Sequence, residues 1–533
     1  MARLRDDRRG NVAMIFAFSL PIIAMLTLGG IDLHRVTTAR SQFQDALDAA
    51  TLSAARSSYT DPAELKAVTL ITLRANLEDS EIEPIQDSDV TVAMDGTSVV
   101  VSDAVGRVKT LVANIVLPPY GQLLDDTIPV NVHSEVNLSA KNLEVAMVLD
   151  ITGSMSGSKI SDLKTAALKM VDIVVKDVQT PYTSRMSVVP YSMGVNLGSL
   201  AAAARGAVTA GKTITGATRS CTTSRGSTSC TITVTAASHG FAVNDRVVVT
   251  GVSGMAINSS TNTAFTVTAR TANTFTYVIS SSVTGSYSSG GTAYCTVAGC
   301  QYLAFTNAAG STSVHQISNC VTERTGSNAY TDASPASAYV GRNYPSASEN
   351  TCVSAGIQPL TSDRSTLKSI INNLDDGGST AGHIGTAWGW YTVAPNFNSL
   401  WPSSSAANDY DALKTVKAVV LMTDGDFNTP YYSGVIAKDS LSGSYSSNSV
   451  RINQNASNGA SAAQAQSLCT AMKAKGVVVY TVGFSITANS AAATLLSNCA
   501  SSSDKAYLAN SGTALVAAFE AIGRDITKLR ITR

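Results

Sequence analysis

Residues Val12 to Ile31 form twenty consecutive positions without a charge, the length that carries a helix across about 30 Å of hydrocarbon. Helical spacing continues beyond them. Val36, Phe43, Leu47, Ala50 and Ala54 fall on one stripe, with Arg40, Gln44, Asp45 and Asp48 around the rest. Ala63 to Leu77 again reads as helix. Val90–Met94, an Asp95-Gly96 turn, Val99–Val101 and Val130–Leu138 alternate as strands do. From about Lys141 the grammar changes. Leu143–Leu149 and Val416–Met422 are near-continuous apolar runs, as strands buried on both faces require. Met186–Pro190, Val477–Val482 and Ala506–Leu508 add shorter strands. Helical segments intervene at Lys159–Val178, Arg364–Leu374, Ile384–Tyr391, Ala462–Lys475, Ala491–Cys499 and Thr513–Leu529. Strands alternating with helices predict an α/β fold with a doubly wound parallel sheet over 141–533. An interruption at 205–355 breaks this order. Within it, 231–294 has no helical periodicity, only short alternating strands between Gly, Ser and Asn turns, and predicts an inserted all-β module. Cys230 and Cys295 flank that module and suggest a stapled loop.

Charge then orients the chain. Arg3, Arg5, Arg8 and Arg9 precede the apolar run, so residues 1–9 are expected to form a cytoplasmic tail and 10–31 a transmembrane helix. The run is longer than a signal-peptide core, and no A-x-A cleavage site follows directly, which favours an uncleaved anchor. Residues 32–140 are expected to hold a helix with a small mixed α/β segment; an apolar helix running on into an alanine-rich amphipathic one resembles the helix of pilins. The formal net charge is zero and 14% of residues are charged, with no long basic run, so nucleic acid is not an expected partner. A nucleotide is not an expected partner either. All eight cysteines (Cys221, Cys230, Cys295, Cys300, Cys320, Cys352, Cys469 and Cys499) lie beyond the anchor, and an even count on an oxidising side reads as disulfides. Sequence cannot choose among the pairings. Sequential pairing is expected because each neighbour closes a modest loop. Zinc is disfavoured by the lack of C-x2-C pairs or a histidine cluster.

The chemistry concentrates after two of the strands. Asp150-Ile-Thr152-Gly-Ser154 places a carboxylate and two hydroxyls at alternate positions of a turn, Asp424-Gly425 follows the second apolar run, and Gly377-Gly-Ser-Thr380 lies between them. Hard divalent cations take such oxygen ligands. In order and type these residues resemble the metal-ion-dependent adhesion site (MIDAS) of von Willebrand factor A domains, with Thr152 where serine is commoner. The resemblance implies Mg²⁺ (or Mn²⁺ or Ca²⁺) held by Asp150, Thr152, Ser154, Thr380 and Asp424. It also implies an open position for an acidic side chain of a protein partner. Asp426 reads as a solvent-exposed turn residue. The N-terminal segment RRGNVAMIFAFSLP…GIDL…QDALDAATLSAAR resembles that of tight-adherence (Tad/Flp) pilus assembly proteins of the TadG type, as do NCVTERTGSNAYTDASPASAYVGRNYP, TAGHIGTAWGWYTVAPNF and LMTDGDFNTPYYSG. Position five after Gly10 is Ile15 rather than glutamate, which argues against processing as a prepilin. The β module resembles small modules of phage-tail and bacterial surface proteins.

The resemblance implies a non-enzymatic adhesion or attachment protein of the bacterial inner membrane, single-pass, with its C-terminal domain periplasmic or at the cell surface. Its partners would be other pilus or envelope components. An architectural envelope protein with an incidental metal site is the alternative. A serine hydrolase is a weaker one: His383 could approach Ser154, but Gly153-Ser-Met-Ser-Gly157 puts Met155 where a nucleophile elbow needs serine. Trp388, Trp390, Tyr391 and Trp401 are expected to pack the helix after Thr380 onto the sheet. The basic C-terminal end (Arg524, Lys528, Arg530, Arg533) suits the negative end of a helix dipole.

Overall fold

The computed structural model describes residues 9–529 apart from 58, 60, 96–98, 111–115, 118–120, 123–125, 138–140, 181, 307–311, 346–350, 433–435 and 438–455. Arg3, Arg5, Arg8, Arg530, Arg533 and the glycine of the expected Asp95-Gly96 turn therefore lie outside the described residues. The chain divides into two units, one before and one after residue 140.

In the first unit the helix Arg9–Arg56 is followed by a second, Pro62–Asn76. Asp61 caps the latter by accepting from the Ala63 amide. Strands Val90–Asp95, Val99–Lys109 and Thr127–Asn137 form an antiparallel sheet in that order. The stripe at Phe43, Leu47, Ala50 and Ala54 is fully buried, in one core with Leu73, Val100 and Val108. Among the described residues no helix is long and apolar enough to cross a membrane.

The second unit is built on six strands: β1 (Asn142–Asp150), β2 (Ser184–Tyr191), β3 (Gln358–Thr361), β4 (Thr415–Thr423), β5 (Val478–Phe484) and β6 (Ala506–Ala509). Their spatial order is β3-β2-β1-β4-β5-β6. All pairings are parallel except that of the edge strand β3. Order reverses between β1 and β4, which makes their carboxyl ends the topological switch point where such sheets bind ligands. Along β1 the side chains alternate between two cores. Leu143, Val145, Met147 and Leu149 meet α1 (Ser158–Val174), α2 (Arg364–Asn372) and α6 (Gly512–Leu529), whereas Ala146 and Val148 meet α3 (Gly382–Val393), α4 (Ser461–Ala474) and α5 (Ala491–Cys499). A run buried on both faces therefore carries period two without any polar alternation.

Helix α3 approaches the sheet through glycines. A Cβ on Gly385 would lie 2.5 Å from the Tyr191 ring, and one on Gly389 would lie 2.4 Å from Val148 Cγ2. Trp388, Trp390, Tyr391 and Trp401 are all buried; Trp388 meets Phe397 and Trp401 edge-on, and Trp390 donates to the Tyr410 hydroxyl at 2.8 Å. The aromatic residues fill the core around the helix, and the small residues set its distance from the strands. Gly389→Ala is expected to cost about 1–3 kcal/mol through overpacking, seen as a lower urea midpoint with an unchanged slope.

Strands of the inserted module begin at Lys212, ahead of the expected 231–294. Gly216–Ser224 pairs antiparallel with Ser227–Thr235, and Lys212–Thr213 pairs with Thr292–Cys295. The early strand went unread because its side chains are polar and mostly exposed, leaving no apolar alternation. Two four-stranded sheets enclose one core that includes Ile232, Val234, Val247, Val249, Phe275 and Tyr277. The disulfides join Cys221–Cys230, Cys295–Cys300, Cys320–Cys352 and Cys469–Cys499. No bond links Cys230 to Cys295, so the module is not closed by a staple. Cys221 and Cys230 face each other in one hairpin register, which puts each within reach of the other. The hairpin Tyr302–Thr306/Thr312–Gln316 and the edge strand β3 were also silent in the sequence pattern.

Candidate functional site

Asp150 is the last residue of β1, and Asp424 follows β4 directly. Because β1 and β4 are neighbours with Leu149 paired to Met422, the two carboxylates emerge at one edge. Asp150 is wholly buried. Its Oδ1 accepts from the Thr152 amide at 2.9 Å, and its Oδ2 accepts from the hydroxyls of Thr423 at 2.7 Å and Tyr191 at 3.2 Å. The turn 151–157 brings Thr152 Oγ1 to 2.9 Å from Ser154 Oγ, and Ser154 donates to Asp424 Oδ1 at 2.6 Å, across 270 residues of sequence. Lys159, in the first turn of α1, donates to Asp424 Oδ2 at 2.6 Å.

The loop carrying Thr380 is stitched to both acidic loops by backbone bonds. The Gly377 amide donates to Ile151 O and the Gly153 amide to Gly378 O. Thr380 itself donates its amide to Asn428 Oδ1 at 3.1 Å and accepts at its carbonyl from the Asn428 and Thr429 amides. Asp150, Thr152, Ser154 and Asp424 thus lie in one hydrogen-bonded chain, and Thr380 adjoins them through the backbone. Asp426 is exposed. Thr423, Tyr191 and Lys159 were not singled out from sequence. Thr423 immediately precedes Asp424, the one available hint; Tyr191 and Lys159 gave no signal until the strands were ordered.

Burial, and next the charge of Asp424, push the Asp150 carboxyl up to about 6. Two buried carboxylates against a single ammonium leave a local excess of negative charge. The donors are carboxylate and hydroxyl oxygens, a set suited to a hard divalent cation and poorly suited to a thiophilic one. Among the described residues no three His, Cys, Asp or Glu side chains gather to hold a metal, so an ion here would rest on two acids, hydroxyls and water. On these grounds the residues fit Mg²⁺, Mn²⁺ or Ca²⁺.

His383 does not reach Ser154. Its Nε2 meets Glu323 Oε2 and its Nδ1 meets Ser461 Oγ, all three side chains being buried. The order serine, histidine, acid is that of a hydrolase triad. The adjoining cavity of about 10 Å³, however, has room for about one water and none for an acyl substrate. Glu323 Oε1 has no hydrogen-bond partner among the described residues, which marks that cavity as a place for a water.

No curated protein matches the chain. Among solved structures, the vWF domain of the type V pili tip protein Mfa5 from Porphyromonas gingivalis is similar at 11% identity, covering 74% of this chain and 97% of that one, with a TM-score of 0.34. The pilus adhesin SpaC from Lactobacillus rhamnosus GG is similar at 11% identity over 82% of this chain, which spans 34% of its length (TM-score 0.32). Proximal thread matrix protein 1 from the mussel byssus, with a zinc-occupied MIDAS motif, is similar at 11% identity over 73% of this chain and 46% of its own (TM-score 0.26). Likenesses this distant say nothing about what the present chain binds. The family described as putative Flp pilus-assembly TadE/G-like matches residues 10–57, and by that match the N-terminal segment of this chain is TadE/G-like.

Proposed function

We propose that this chain is an envelope-anchored protein that docks a partner through a divalent cation, in tight-adherence pilus assembly or surface attachment. The observation that carries the reading is the contact of Ser154 with Asp424 at 2.6 Å, on the rim where Asp150 and Thr152 also lie. Asp150, Thr152, Ser154, Thr380 and Asp424 would hold the ion, Mg²⁺ or else Mn²⁺ or Ca²⁺, directly or through water. When bound, it supplies one charge-assisted contact to an acidic side chain of a protein partner. Thr423 and Tyr191 fix the Asp150 carboxylate from behind, so its orientation is set before any ion arrives. The TadE/G-like segment supports a place among pilus and envelope components.

Anchoring belongs to the same proposal. Met14, Ile15, Phe16, Phe18, Leu20, Ile22 and Ile23 are each more than half exposed on the first helix. A contiguous apolar surface of this kind is costly in water and suits hydrocarbon. Residues 10–31 would make a single span in the inner membrane, with the second unit in the periplasm or at the surface.

The test uses the full-length chain in detergent. Mg²⁺ or Mn²⁺ is expected to raise its melting temperature and EDTA to reverse the rise, and envelope proteins crosslinked to it in cells should be lost when chelator is added first. A melting curve and a crosslinking pattern indifferent to chelator would leave the architectural reading in its place.

A further inference from the structure

We infer that Lys159 is a built-in counter-ion that holds Asp424 back from direct coordination, keeping the ion weakly bound and avid for an outside carboxylate. This rests on the ion site proposed above and assigns a new role within it.

A lysine in the first turn of a helix is misplaced by local rules, since the helix N-terminus carries partial positive charge. Helix α1 opens with Gly157 as N-cap, without a side-chain cap bond, and no acid stands in its first turn to offset the lysine. Local stability therefore gives no reason for a cation at 159. The tertiary structure gives one. Lys159 Nζ lies 2.6 Å from Asp424 Oδ2, while Ser154 occupies Oδ1 at 2.6 Å. Both oxygens of Asp424 are engaged by the chain itself. Its side chain is 1% exposed, whereas that of Lys159 is 32% exposed. The ammonium thus stands at the solvent side of the buried acid.

Charge arithmetic gives the consequence. With Lys159 in place, a divalent cation meets two carboxylates and one ammonium, a net charge of about −1 rather than −2. The ion is then under-neutralised, and its attraction for an external anion is greater. Removing the ammonium frees an oxygen of Asp424 to bind directly. Ion affinity should rise while anion capture falls. Two unit charges facing an ammonium several ångströms away in a water-rich rim correspond to about tenfold in affinity or more.

The experiment titrates Mn²⁺ into full-length wild type and the Lys159→Met, Lys159→Gln and Lys159→Arg variants. Calorimetry reads affinity, water-proton relaxation reads the waters left on bound Mn²⁺, and poly-L-glutamate serves as the anionic probe. Lys159→Met and Lys159→Gln are expected to bind Mn²⁺ about tenfold more tightly, with lower relaxivity and weaker poly-L-glutamate binding. Lys159→Arg, which keeps the charge, should match wild type. Melting temperatures in EDTA establish that each variant is folded, and Gln serves should Met fail. Unchanged or weaker Mn²⁺ affinity with unchanged relaxivity in both neutral variants overturns the counter-ion role, as does equal tightening in Lys159→Arg. If wild type and all variants bind no Mn²⁺, the ion site itself is wrong, and this inference falls with it by a distinguishable route.

Discussion

Asp150→Asn is expected to abolish the response of the folded chain to divalent cations. For wild type, an ion present at about one hundred times its dissociation constant should stabilise the fold by about 2.7 kcal/mol. For the variant, melting curves with and without ion should superimpose. Asparagine keeps the shape of the side chain, and its Oδ1 can still accept from the Thr152 amide. The hydroxyls of Thr423 and Tyr191 can rotate to accept from the new Nδ2. The metal-free variant should therefore fold, and melt no lower than wild type, because burial and the nearby Asp424 disfavour the native carboxylate. Loss of the ion response without loss of metal-free stability is the signature sought by differential scanning calorimetry. A variant that still gains stability from Mg²⁺ or Mn²⁺ would show that Asp150 is a structural acid and no ligand.

The other large effect is expected at the opposite end of the same strand. Glu144, the third residue of β1, is wholly buried and accepts from Lys417 Nζ at 2.5 Å, Arg185 Nη2 at 2.5 Å and the Asn408 amide at 2.9 Å. Burial pulls the Lys417 ammonium below the usual lysine range, and Glu144 acts against that pull. Glu144→Leu would leave a buried ammonium and a partly buried guanidinium without their shared carboxylate, at a cost of about 3–5 kcal/mol. Urea denaturation measures it. Ion affinity in the surviving folded fraction should match wild type, since the site lies at the other end of the sheet. A loss below about 1 kcal/mol would mean that solvent or a shifted pKa relieves the two cations.

The apolar runs at Leu143–Leu149 and Val416–Met422 were legible because a strand buried on both faces has no polar residue to hide it. The acid at the end of each was legible for the same reason, since it is where the run stops. The stripe from Phe43 to Ala54 is one buried face of a helix, as helical spacing alone implied. Less visible were β3, with Pro359 and a single buried apolar residue, and the polar strand Gly216–Ser224. Edge strands make few core contacts and so leave little pattern. His383 illustrates a further gap. Proximity in sequence to Thr380 suggested the ion site, yet helix α3 directs the imidazole to Glu323 and Ser461 instead.

Sequence by itself determined the kinds of atoms available to this protein: hydroxyl and carboxylate oxygens in turns after buried strands, apolar runs of strand and helix length, and cysteines close enough to pair with neighbours. Those are local properties, written in residue type and short-range spacing. Only the tertiary structure decided which groups face one another. Ser154 meets Asp424 across 270 residues, and Lys159 closes on the same carboxylate from a helix end where local electrostatics disfavour it. The reason is that strand order places β1 beside β4, and strand order is an outcome of packing two cores at once rather than of any segment's own preference.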